Sequence, residues 1–315
     1  MEVQGVAFFE GEYRPLAEAR VNVMTHAFNY GTGVFEGIRG YWNAAEEQIY
    51  IFRAREHFER LHRSARIMAI DLPYSVEELC RICGEIVRRS GFQQDVYIRP
   101  IAYKCGLGIG VSMTGVTDDC LIYCQPMGNY IEVEHGIRCC VSTWRRTGDN
   151  AIPPRAKVTG AYANAALAKH EALTNGYDEA ILLTDAGNVS EGSAENLFIV
   201  KNRTLFTPPP WDNVLEGITR ATLMDLARAE LGVQSMERTI QRTELYTADE
   251  VFLCGTGAQI SPVVEIDHRP IGDGRIGPLT SALQRLYFDT VRGVNRAYAA
   301  WLQPVYDQIP AHSAA

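Results

Sequence analysis

What most constrains the fold of this 315-residue chain is how often its hydrophobic period changes. Alternation near two marks a strand, and recurrence near 3.6 marks a helix. "GVAFFEGEY" and "QIYIFR" read as short strands. "REHFERLHRSARIMAI" then puts Phe58, Leu61, Ala65 and Met68 on one helical stripe. "SVEELCRICGEIVRRSG" is a second helix, with a capping box at Ser75 and Glu78 and a stop at Gly91. "DVYIRPIAYK" and "DDCLIYCQP" return to strand spacing. After "MGNYIEVEH" the alternation starts again. "GIRCCVSTW" leads to the helix "GAYANAALAKHEALTNG", then to strands punctuated by "DAGN", "EGSAE" and "KNR". "GITRATLMDLARAELG" is a helix capped at Thr219, with Leu223, Leu226, Ala227 and Leu231 inward. "DEVFLCGTGAQISPVVEI" is strand, glycine loop and strand, and "GPLTSALQRLYFDTVRGVNRAYAAWL" is helical. The expected fold is α/β of the α+β type. It has a small N-terminal domain over 1–126, a connector over 127–135 and a larger domain over 136–315, with a cleft between the domains. The tail "PAHSAA" reads as frayed.

Composition removes several classes of function. A formal net charge of −8 argues against nucleic acid and anionic membranes as partners. The first residues lack the basic and apolar segments of a signal peptide, and no apolar run is long enough to span a bilayer. The eight cysteines lie in apolar contexts and read as reduced thiols of a cytoplasmic protein. Cys80 and Cys83 have CxxC spacing, but on a helix whose apolar stripe explains them as core. The seven histidines show no metal spacing, so no metal is expected. "GTGVFEG" and "GLGIG" lack the spacing of a dinucleotide loop.

Lysine is scarce: Lys104, Lys157, Lys169 and Lys201 are the only four. Chemistry that needs a primary amine therefore has four candidates. Lys201 sits in a turn and Lys169 on a polar helix face, both explained by solvation. Lys104 follows a strand and is ambiguous. Lys157, in "AIPPRAKVTGAY", lies among small residues that let a planar ligand approach, with Tyr162 five positions on. Alone it reads more readily as an ordinary loop lysine. Pyridoxal phosphate (PLP) requires more than an amine. It needs an acid–base partner at the ring nitrogen, a donor to the phenolic oxygen and a phosphate cup. Glu191 in "VSEGSAEN", Tyr162, "LEGITR" and "CGTGA" offer these, although each also has a bland reading as loop charge, cap or turn.

Together, "FEGIR", "YIRP", "IPPRAK", "SEGSAENLF", "LEGITR" and "GTGAQISPV" resemble the fold-type IV PLP enzymes, and most closely the branched-chain amino-acid aminotransferases. The resemblance covers nearly the whole chain. It implies a PLP cleft between the domains, with 136–315 as the PLP-binding domain. It implies that Lys157 forms the Schiff base and shuttles the α-proton. Glu191 would pair with the ring nitrogen, Tyr162 with the phenolic oxygen, and Leu215 would pack on the ring. Arg60, Gly217, Ile218, Thr219, Gly255 and Thr256 would hold the phosphate. Helical phase places Arg60 off the apolar stripe, as a solvated arginine would be; the resemblance turns that face into the cleft. The substrate carboxylate would meet Tyr97, Thr256 and Gly257. Tyr30, Phe35, Gly37, Arg99 and Tyr130 would line the side-chain pocket, with Arg39 nearby.

The implied reaction is a ping-pong transfer between branched-chain L-amino acids and 2-oxoglutarate, alternating PLP with pyridoxamine phosphate (PMP). It is implied for a homodimer or a higher assembly of dimers. The other reading within the fold type is action on D-amino acids or (R)-amines. Met127, where many bacterial members carry Trp, and the atypical Lys104 and Cys105 leave the breadth of specificity open. Ala258 and Ser261 stand where some members carry a CxxC pair, so no redox switch is expected there.

Overall fold

The strand runs gather into two sheets in the computed structural model, which describes residues 4–128 and 135–306. The first has eight strands. Its centre is Val96–Lys104, flanked by Asp118–Pro126 on one side and by Ile38–Asn43 and then Gln48–Phe52 on the other. Gly33–Phe35 also pairs antiparallel with Val96–Lys104. "GVAFFEGEY" is not one strand but a hairpin, Val6–Phe9 against Glu12–Pro15, because Glu10 and Gly11 take positive φ at the turn.

Helices Ala54–Ile67 and Val76–Ser90 cover this sheet. Phe58, Leu61 and Ala65 enter its core along the expected stripe, whereas Met68 lies at the edge. Each fully buried Phe or Leu contributes roughly 1.5–3 kcal/mol. Both halves of the Ser75–Glu78 capping box are made, and Gly91 closes the helix at φ 66°.

The second sheet has nine strands. Ile137–Arg145 lies parallel to both Glu179–Leu183 and Gln259–Ile266, and the antiparallel pair Glu250–Gly255 and Asn196–Lys201 extends it. Helices Tyr162–Thr174, Ile218–Leu231 and Pro278–Val291 pack on it. A shared core joins the sheets: Tyr41 and Phe52 of the first pack with Phe198 and Phe252 of the second and with Tyr287 of the helix Pro278–Val291. The Tyr41 and Tyr287 hydroxyls meet at 3.1 Å inside it.

At the C-terminus the strand pairing crosses the expected division. Leu302–Pro304, assigned by sequence to 136–315, pairs with Gln48–Phe52 as an edge strand of the first sheet. Gln303 also donates to the Cys80 carbonyl on the covering helix, at 3.0 Å. Most of the 127–135 connector and the frayed-tail expectation lie outside the described residues. All eight cysteines are free thiols; Cys83 faces the core, and burial raises it well above the ordinary thiol range.

Candidate active site

Lys157 is tied by its backbone to the first sheet while its side chain enters the cleft. Its N–H donates to Ser64 Oγ at 3.3 Å, and its carbonyl accepts from Phe35 N–H at 3.0 Å. The next residue, Val158, bridges Val34. Lys157 Nζ lies 5.0 Å from the Phe35 ring centre and 5.2 Å from that of Tyr162, and donates to the Tyr162 hydroxyl at 2.6 Å. The other three lysines are each bonded to carboxylates. Lys104, buried, reaches Asp118 at 2.9 Å; Lys201 reaches Asp249 at 3.0 Å. Lys169, expected on a solvated face, instead borders the cleft and bonds the buried Glu179 at 2.6 Å. Its helix packs on the strand Glu179–Leu183, which begins with Glu179.

Glu191 lies on Val189–Gly192, deep in the same cleft. Arg146 pairs with it at 2.7 Å, Asn196 donates at 2.9 Å and Leu215 N–H at 3.0 Å. Burial lifts this carboxyl above its ordinary range, while Arg146, the Leu215 N–H and Lys157 oppose the lift. A carboxyl so placed suits sharing a proton with a basic ring nitrogen.

Gly217, not Thr219, is the N-cap of helix Ile218–Leu231, and no side chain bonds the cap. The expected Thr219 cap is therefore corrected: Thr219 is the second residue inside the helix. Glycine is required at 217, since a Cβ there would stand 1.8 Å from Asn196 Oδ1. The uncapped first turn leaves N–H donors and the positive end of the helix dipole to an anion. Ile218 and Thr219 line the cavity, as do Gly255, Thr256 and Gly257, which join two paired strands.

Arg60 completes this end. It is 4% exposed and borders the cavity. Its Nε and Nη2 each donate to Glu36 at 2.7 Å, and its Nη1 to the Glu216 carbonyl at 2.8 Å. His57 Nδ1 lies 2.8 Å from the same carboxylate. Burial alone would raise Glu36, but Arg60 and His57 hold it well below the usual carboxylate range. Burial outweighs Glu36 at His57 and lowers its proton affinity, so the ring is neutral near pH 7.

At the other end, Tyr97, Arg99, Phe35 and Gly37 border the cavity, together with Gln125 and Met127. Arg99 donates to the Tyr97 hydroxyl at 2.9 Å and lies 4.4 Å from the Phe35 ring centre. A Cβ on Gly37 would stand 2.1 Å from the Tyr97 hydroxyl, so only glycine lets Tyr97 enter. Arg39, expected near the pocket, and Tyr30, expected in its lining, do not border the cavity. Arg39 is buried and donates to the carbonyls of Gly128 at 2.7 Å and of the cavity-lining Gly257 at 3.3 Å. Strand register opposes Arg39 to Tyr97, but only Tyr97 of the two borders the cavity. The Tyr30 hydroxyl accepts from Gly110 N–H at 2.8 Å and does not border the cavity. Tyr130 lies outside the described residues.

The cavity holds about 710 Å³. It brings together Lys157, Tyr162, Glu191, Leu215, Arg60 and the two glycine turns. Sequence reasoning missed Arg146, Asn196, Glu36 and His57. The signals for three of them lay inside quoted motifs: Glu36 in "FEGIR", His57 in "REHFERLH" and Asn196 in "SAENLF". Arg146 had no signal, because only the parallel register of Ile137–Arg145 brings its neighbourhood beside Glu191.

Comparison with known proteins gives a consistent picture. A family model described as amino-transferase class IV matches residues 33–266. A probable branched-chain-amino-acid aminotransferase of Aquifex aeolicus is 54% identical over 302 residues, covering 96% of this chain and 97% of that protein. The branched-chain aminotransferase of Thermoproteus uzoniensis, solved with norvaline, superposes with a TM-score of 0.92 at 45% identity, covering 96% of this chain and 99% of that one. The Thermobaculum terrenum branched-chain aminotransferase in its PLP form superposes with a TM-score of 0.93 at 38% identity, covering 98% of this chain and 100% of that one.

Proposed function

The chain belongs to the class IV aminotransferases, and from that premise we propose that it transfers amino groups between leucine, isoleucine or valine and 2-oxoglutarate. The observation that carries the reading is Lys157 Nζ bonded to the Tyr162 hydroxyl, in one cavity with Glu191 and an uncapped helix start. The residues fit PLP: an amine, a phenol, a buried carboxyl and an anion cup line a cavity with room for ring and substrate. PLP, when bound, supplies an aldehyde that takes up an amino group and a ring that accepts the electron pair left when the α-proton departs.

Lys157 provides the amine and moves that proton, as a base at Nζ and then as an acid. Tyr162 orients Nζ and bonds the phenolic oxygen. Glu191, anchored by Arg146, Asn196 and Leu215 N–H, holds a proton at the ring nitrogen, while Leu215 covers the ring face. The N–H groups of Ile218 and Thr219, the Thr256 turn and Arg60 hold the phosphate. Tyr97, with Thr256 and Gly257, takes the substrate carboxylate.

One pocket must accept both an aliphatic and a carboxylate side chain. Phe35 and Met127 suit the first. Arg99 suits the second, since an unpaired carboxylate is costly to bury.

The division into 1–126 and 136–315 remains our reading of the domains, with the cavity at their junction. A cytoplasmic homodimer, or an assembly of dimers, completes it. Apolar residues on neighbouring surface segments support self-association, with Phe28 69% and Ile109 95% exposed. Among the described residues no helix is long and apolar enough to cross a membrane.

Visible absorbance of the PLP-loaded protein tests the function. The band should bleach with L-leucine and return with 2-oxoglutarate. A band that ignores L-leucine but bleaches with D-alanine or an (R)-amine would overturn the substrate assignment.

A further inference from the structure

The donors of Arg60 can be counted. A guanidinium has five N–H bonds in a fixed plane. Glu36 takes one from Nε and one from Nη2, and the Glu216 carbonyl takes one from Nη1. Two remain, one on each terminal nitrogen, on the side chain that borders the cavity beside the helix start at Gly217. Glu36 is 0% exposed and His57 1%, and neither borders the cavity. Among the described residues, the charged side chains that they hydrogen-bond are Arg60 and each other. With Glu36 ionised and His57 neutral, the Arg60–Glu36–His57 cluster carries almost no net charge.

We propose that Glu36, braced by His57, is a positioning residue that fixes Arg60 as a directional two-donor clamp for the cofactor's phosphate. This rests on the reading of the cavity as a PLP site. The bidentate fork prevents Arg60 from turning, because both edges of the carboxylate are used. It also removes the arginine's excess charge, so the anion is recognised by aligned N–H groups rather than by bulk positive charge. The backbone donors of Ile218, Thr219 and the Thr256 turn then act with Arg60 on one group. Loss of Glu36 leaves the cavity walls in place but frees Arg60 to rotate. The effect should fall on the phosphate and not on the ring.

The test compares wild type, Glu36→Gln and Glu36→Asp, each loaded with PLP or with pyridoxal, which lacks the phosphate. Binding is followed by the absorbance of the bound cofactor, and the phosphate by its ³¹P resonance. Glu36→Gln should weaken PLP at least tenfold and change pyridoxal less than twofold. Its ³¹P resonance should move, and Glu36→Asp should recover part of the PLP affinity. Equal weakening of PLP and pyridoxal would assign Glu36 a merely structural role and overturn the clamp. Unchanged PLP affinity in a folded Glu36→Gln protein would overturn it as well. Wild type that binds neither compound would overturn the PLP reading itself, and the clamp with it. Thermal unfolding of each variant shows which have folded. If Glu36→Gln fails to fold, His57→Gln, which leaves the fork but removes its brace, should give a smaller loss confined to PLP; an equal loss for pyridoxal would overturn the clamp.

Discussion

The two ends of the cavity treat buried charge in opposite ways. At the proposed phosphate end Arg60 has a bidentate carboxylate partner and a carbonyl, and Glu36 has two cationic or donor neighbours. At the proposed substrate end Arg99 Nε has no hydrogen-bond partner among the described residues. Unpaired buried donors are costly, roughly 1–3 kcal/mol each. One end is thus organised before any ligand arrives. The other keeps unspent hydrogen-bonding capacity that a ligand can use. That difference suits a site whose cofactor stays while two unlike substrates alternate.

The comparison can be broken at several points. The largest effect is expected at Lys157, which serves both ends. Lys157→Ala should lower turnover by a factor on the order of a thousand or more, with the fold retained, as measured by single-turnover absorbance with L-leucine. Turnover within tenfold of wild type would move the proton transfer to another residue.

Next is Arg99. Arg99→Ala should reduce kcat/KM for 2-oxoglutarate by about 10- to 150-fold, the worth of hydrogen bonds to a charged group, and spare leucine. Equal losses for both substrates would end the division of labour within the pocket.

Arg146→Gln sharpens the cofactor end. Burial then lifts Glu191 with less opposition. We expect about a tenfold fall in kcat, from the weaker anchoring of one charge-assisted bond, with KM for leucine nearly unchanged. A change in KM alone would place Arg146 with the substrate.

The smallest effect concerns Glu195, a buried cavity carboxyl pushed up to about 8 by burial and then by Glu179. Its folded pKa exceeds its unfolded value near 4.5. The folded state therefore binds the proton more tightly, and the stabilisation present below pH 4.5 is lost as pH rises towards 8. Glu195→Gln should flatten this part of the stability curve and raise Tm by a few degrees in mildly alkaline buffer. A parallel fall in Tm for both proteins would show that Glu195 is not the titrating group.

How legible the molecule was in its sequence differs by residue. The stripe of Phe58, Leu61 and Ala65, the Ser75–Glu78 box and the Gly91 stop are local patterns, and local patterns survive folding because their energetics lie within one or two turns. Lys157, Tyr162 and Glu191 could be singled out because chemistry limits which residue types can serve. Thr219 misled, since a hydroxyl near a helix start resembles a cap, whereas a packing contact with Asn196 demands glycine at 217. Arg60 on helical phase alone would have been left in solvent. Its burial depends on Glu36, 24 positions away, and on the Glu216 carbonyl, 156 positions away.

The sequence by itself determined the alternation of strands and helices, the scarcity of amines and the family to which the motifs belong. Tertiary structure alone decided that Leu302–Pro304 joins the first sheet, that Arg39 bonds the Gly128 carbonyl, and that Arg146 meets Glu191. Such pairings depend on sheet register and on which buried charges find partners. Both are settled by contacts between residues far apart in the chain, which no local pattern encodes.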